Sequence, residues 1–128
     1  MPTKEELVAV VDETIAWLKD ESHWMRDYSA RFFDAETGTT TNVWDVFQTA
    51  RALKEGAEPQ CTCLVGGLVL AAYRTRPDQW HPIYSELYDI AAQVNPDIEV
   101  PSDFNDDPAT SHADVLLFLS EFRSVVAS

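Results

Sequence analysis

The sequence predicts an all-α domain of about five helices packed around a buried central helix at 63–73, with a small irregular or hairpin element near 30–41. Three observations carry that expectation. Residues 63–73 (CLVGGLVLAAY) have no polar face, and a helix apolar all round belongs inside a core. Four other stretches repeat apolar residues at helical spacing. Start signals of the Ser/Thr/Asp/Asn type precede several of them. A chain of 128 residues is one domain by length and buries enough surface to fold without a metal or disulfide staple.

The first helix is expected over 4–22. Thr3 and Glu6 form a capping box, and Leu7, Val8, Val11, Ile15 and Leu18 make one stripe with Val10 and Trp17 at its edge. Around Gly38, the aromatic and β-branched residues of 31–41 read as the hairpin or irregular element. Asn42 caps the second helix, with Asp45 at its third position, Gly56 as its stop, and Val43, Val46, Phe47, Ala50 and Leu53 facing inward. Residues 57–60 are a connector. In the central helix Gly66 and Gly67 each cost about 1 kcal/mol against Ala, so a close approach by a neighbouring helix is the expected compensation.

Pro77 interrupts the chain, and Pro82 suits the first position of a helix whose inner residues are Ile83, Leu87, Ile90, Ala91 and Val94. Residues 97–108 read as an acidic loop. Ser111 and Asp114 then cap a last helix with core residues Val115, Phe118, Leu119, Phe122, Val125 and Val126. Its opposite face, Ala113, Leu117, Ser120 and Ser124, is small and uncharged. Such a face suits a second packing contact or self-association.

The formal charge is −13, and it is unevenly placed: residues 77–122 hold ten acids and no Lys or Arg. Phosphate backbones are bound by Lys and Arg that displace counterions, so direct nucleic-acid binding is not expected. No apolar run approaches the ~20 residues of a membrane span, and the first residues lack a signal-peptide layout, so a cytoplasmic protein is expected.

No convincing catalytic set stands out. Cys61 and Cys63 sit at the start of the central helix, where a thiolate is favoured, and His23, His81, His112 and Asn105 are available as partners of a Cys-dependent hydrolase. The alternative is that the cysteines are small core hydrophobes. Their spacing of one intervening residue is too short for a structural zinc site, and no metal or other cofactor is expected. Tyr84 and Tyr88, four residues apart, lie at the edge of an apolar face beside Glu86 and Asp89, an arrangement that suits protein contact or a sealed core rim.

Three segments together resemble a family. They are Trp24 after the first helix, Cys63-Leu64-Val65-Gly66-Gly67 opening the buried segment, and Phe104-Asn105-Asp106-Asp107-Pro108 before the last helix. The chain resembles a family of small, functionally uncharacterised proteins of actinobacteria and their bacteriophages. Members carry a Trp, then Cys-Leu-x-Gly-Ala, then Trp-Asn-Asp; here Phe104 stands for the Trp and Gly67 for the Ala. The resemblance implies no reaction, and the motif residues Trp24, Cys63, Gly66, Phe104, Asn105 and Asp106 have structural explanations.

The leading expectation is an acidic, non-enzymatic interaction module that binds a protein partner through Tyr84, Tyr88, Asp103, Asp106, Asp107 or Leu117. A phage or actinobacterial accessory protein that binds a host factor fits it. The alternatives are a DNA mimic built on the acidic stretch and the Cys-dependent hydrolase.

Overall fold

The computed structural model describes residues 2–128. It is mixed α/β, which corrects the all-α expectation: a three-stranded antiparallel sheet of order β2-β1-β3 is formed by β1 (Ala30–Asp34), β2 (Thr39–Val43) and β3 (Glu58–Thr62). The hairpin expected near 30–41 is β1–β2. Its turn closes with the Gly38 amide donating to the Asp34 carbonyl at 2.8 Å, Gly38 lying at φ +70°. The third strand was read as a connector because Glu58-Pro59-Gln60 shows no apolar alternation. An edge strand tolerates Pro59, since only one of its sides must donate to the ladder.

The described residues also form six α-helices, which pack mainly on one another: α1 (Lys4–Leu18), α2 (Val46–Lys54), α3 (Leu64–Thr75), α4 (Trp80–Val94), α5 (Pro101–Asp106) and α6 (His112–Ala127). The buried central helix is α3. Residues 64–72 are all buried, and α1, α2, α4 and α5 pack around them. The core runs on through Leu7, Val10, Val11 and Leu18 of α1, Ile83, Leu87 and Ala91 of α4, and Val115, Phe118, Leu119 and Phe122 of α6.

Both capping boxes form, Thr3 with Glu6 and Ser111 with Asp114. The first helix ends earlier than expected. Asp20 accepts hydrogen bonds from the amide and hydroxyl of Ser22, and this local alternative turns the chain into a short 3-10 turn at Glu21–His23. The cap of α2 is Asp45, which accepts from the Gln48 amide at 2.8 Å, rather than Asn42, which lies in β2 and accepts from Arg31. Phe47 is accordingly 61% exposed instead of inward. On α4, Pro82 is the third residue rather than the first. The acidic loop contains α5, with Pro101 at its first position, where the missing amide costs nothing. Val125 is exposed rather than core, and Leu117 is 61% exposed, so among the described residues no second packing contact covers it on the outer face of α6.

The close approach expected at the glycine pair is real, but at Gly66 the neighbour is not a helix. A Cβ there would lie 1.9 Å from the Ser29 backbone carbonyl oxygen, just ahead of β1. At Gly67 the nearest atoms are side chains, Leu18 Cδ1 and Thr62 Oγ1 at 3.2 Å and Thr14 Cγ2 at 3.4 Å.

Candidate functional site around the head of the central helix

The motif residues scattered through the sequence meet at the N-terminal end of α3. Asn105, on α5, is fully buried with 0% exposure, and all four of its hydrogen-bonding positions are used. Its Oδ1 accepts from the Trp24 indole at 2.7 Å and from the Leu64 amide at 3.0 Å. Its Nδ2 donates to the Met25 carbonyl and to Asp106 Oδ1, each at 3.0 Å. Asp106 Oδ1 also accepts from the Asp27 amide at 2.9 Å. One buried amide thus ties segment 24–27, α3 and α5 together.

The rest of the helix head is closed by the chain itself. Cys63 is the N-cap, with its Sγ accepting from the Gly66 amide at 3.3 Å and its own amide donating to the Ser29 carbonyl at 3.0 Å. The leading amides of α3 are therefore occupied, and this helix terminus is not an open anion site.

Cys63 is fully enclosed. Burial pushes its thiol up to about 12; the Gly66 amide opposes the shift and the nearby Asp106 carboxylate adds to it. Burial also raises Cys61, whose thiol donates to the Met25 sulfur at 3.6 Å. Both cysteines are free. Among the described residues none of the three histidines has a polar contact with Cys63. His23 stacks on Trp17 at 3.8 Å with Nδ1 2.8 Å from the Trp17 carbonyl, His112 meets the Leu18 carbonyl through Nε2, and His81 packs against Phe47 and Trp80. Asn105 is committed to the network. A thiol held near 12 is un-ionised at neutral pH and lacks a base, the opposite of what a nucleophilic cysteine needs.

Beside this network lies a cleft of about 280 Å³. Two aromatic pairs line it: Tyr28 with Trp44, ring centroids 4.4 Å apart, and Tyr84 with Tyr88, 5.9 Å apart. Cys63, Asp27, Asp45, Asp106, Ser29 and Ser102 are its polar lining residues. Burial raises the Tyr84 phenol above its ordinary range, with Tyr88 and Cys63 adding to the shift. Trp44 is 67% exposed, the most exposed large hydrophobic among the described residues.

The structure therefore unites three expected contact residues, Tyr84, Tyr88 and Asp106, and separates the others. Asp103 and Asp107 line a different hollow with Phe104 and residues 96–100, Phe104 itself packing on Phe118 at 5.5 Å. Leu117 stands apart on the outer face of α6. Asp27, Tyr28 and Trp44 were not anticipated. Trp44 was placed inside the second helix by the misplaced Asn42 cap, although a large aromatic just before a Ser/Thr/Asp/Asn cap is a detectable signal. Among the described residues no cluster of His, Cys, Asp and Glu suits a metal ion, and no helix is long and apolar enough to cross a membrane.

The profile of the family of unknown function DUF6197 matches residues 2–123. The chain belongs to this family. No curated protein and no solved structure matches it. Family membership carries no reaction with it. The match covers the sheet, α1 to α5 and α6 as far as residue 123, so the network at the head of α3 lies wholly inside the family region.

Proposed function

We propose that the chain is a non-enzymatic interaction module that engages a protein partner through the cleft beside the head of α3. Membership of a phage or actinobacterial accessory group, acting on a host factor in the cytoplasm, fits this reading. The observation that carries it is the exposed Trp44 paired with Tyr28 on a cleft shared with Tyr84 and Tyr88. Trp and Tyr dominate the energetics of protein contacts because each presents large, rigid apolar area with a polar edge. The Asn105 network beneath fixes the cleft wall, so little ordering cost remains at binding. The enclosed, un-ionised Cys63 supports the same reading against a cysteine enzyme.

The test is affinity capture from an actinobacterial lysate with the whole chain, Trp44→Ala and Leu117→Ser. A partner that binds saturably, is lost with Trp44→Ala and is kept with Leu117→Ser supports the reading. Capture indifferent to Trp44, or no saturable partner, overturns it.

A further inference from the structure

The lining of this cleft also states what kind of group it takes. Four aromatic residues and three aspartates line it, and no Lys or Arg does. Among the described residues none of the three acids is in an ion pair; the pairs lie elsewhere, at Arg76 with Glu6 and Asp78, Arg123 with Asp12, and His23 with Asp20. Asp45 Oδ1 accepts from the Gln48 amide and Asp106 Oδ1 from the Asp27 amide and Asn105 Nδ2, and their Oδ2 atoms have no hydrogen-bond partner among the described residues. Asp27 is the one non-glycine residue described with positive φ, at +73°, and its amide is held by Asp106, which sets it on the cleft rim.

Resting on the interaction reading above, we propose that the cleft receives a cationic side chain, arginine or lysine, presented by the protein partner. A ring face carries the negative end of its quadrupole outward, so two aromatic pairs attract a cation within about 6 Å of a ring centroid. The unpaired carboxylate oxygens supply charge and hydrogen-bond acceptors for the same group. A neutral apolar occupant would strip water from Asp106 and Asp45 with nothing to replace it, and an acidic one would be repelled. The charge layout agrees, because Tyr84, Tyr88, Ser102 and Asp106 all come from the 77–122 stretch that lacks any base.

The experiment is a ¹⁵N chemical-shift titration of the whole chain with four capped tripeptides, acetyl-Gly-X-Gly-amide. X is arginine, lysine, citrulline (the uncharged match of arginine) or glutamate. The proposal predicts saturable shifts for arginine or lysine at the Trp44 indole and at amides of 27–29, 44–46 and 102–106. It predicts little for citrulline and glutamate, and weaker binding at higher salt. Asp27→Asn keeps the backbone conformation, since Asn accepts positive φ, and Trp44→Ala removes an exposed ring; each weakens binding about two- to fivefold. Citrulline binding as well as arginine, shifts scattered over other acids, or no saturable shift overturns the cationic specificity. If Trp44-dependent capture of a partner survives such a result, only the cation inference falls; if capture is absent too, the interaction reading falls with it.

Discussion

Replacing Asn105 by Ala removes one side chain and leaves three partners stranded. The Leu64 amide and the Met25 carbonyl belong to buried residues and lose their only side-chain partner at the head of α3. Each buried group left unsatisfied costs about 1–3 kcal/mol, which gives about 2–6 kcal/mol for the pair. The Trp24 indole is half-buried and can turn toward solvent, so its lost bond adds only about 0.5–1.5 kcal/mol. Water entering the vacated space lowers the total, and a loss of about 3–5 kcal/mol is expected. Against a typical stability of about 5–15 kcal/mol this is severe. Urea unfolding followed by far-ultraviolet circular dichroism measures it, and a loss below about 1 kcal/mol would refute the assignment of Asn105 as the tie between three segments. Asn105→Asp adds a sign test. Its second oxygen would face the Met25 carbonyl and Asp106, both acceptors, so the folded state keeps the new carboxyl protonated. A raised folded pKa means stability present at low pH and lost as pH rises, so the deficit against the parent widens from pH 4 to pH 7.

Three further predictions follow from the same region. Gly66→Ala fails to fold or loses several kcal/mol, because its Cβ meets a backbone carbonyl, whereas Gly67→Ala folds and loses less, about 1–3 kcal/mol, because its Cβ crowds the buried side chains of Leu18, Thr62 and Thr14 by only a few tenths of an ångström; thermal melts compare them. Cys63 resists iodoacetamide at pH 7 in the folded chain and reacts in urea, as quenched mass spectrometry will read; fast labelling of the native chain would contradict its burial. Because burial holds its folded pKa, about 12, above the ordinary 9.0, the stability it contributes is present below pH 9 and is lost as pH rises toward 12, on the order of 1 kcal/mol by pH 10. Cys63→Ser, which keeps a capping oxygen but does not ionise there, should flatten that decline in denaturant titrations.

The sequence made the helices legible where the signal was local. Thr3 with Glu6 and Ser111 with Asp114 mark helix starts within four residues, and the all-apolar 64–72 run announces the core. What it hid was pairing at a distance. The strand β3 has a charged, proline-containing sequence and exists because β1 offers it an edge, with a shift of register between Arg31 and Phe32. The role of Asn105 depends on partners 81 and 41 residues away, so no window around it reveals a buried four-bond hub. Asp106, a charge for partners by sequence, is half structural: its Oδ1 holds the Asp27 amide and the Asn105 side chain, and the residue also lines the cleft. The aromatic pair Tyr84 and Tyr88 was visible by spacing, but Tyr28 and Trp44 join them only through the fold.

The claim that matters most is that the working surface is this cleft and not the outer face of α6. Amide hydrogen exchange on the chain with and without its captured partner tests it directly. New protection is expected in segments 27–29, 44–46 and 84–88, with 113–124 unchanged. Protection confined to 113–124, with the cleft segments exchanging as before, would contradict it.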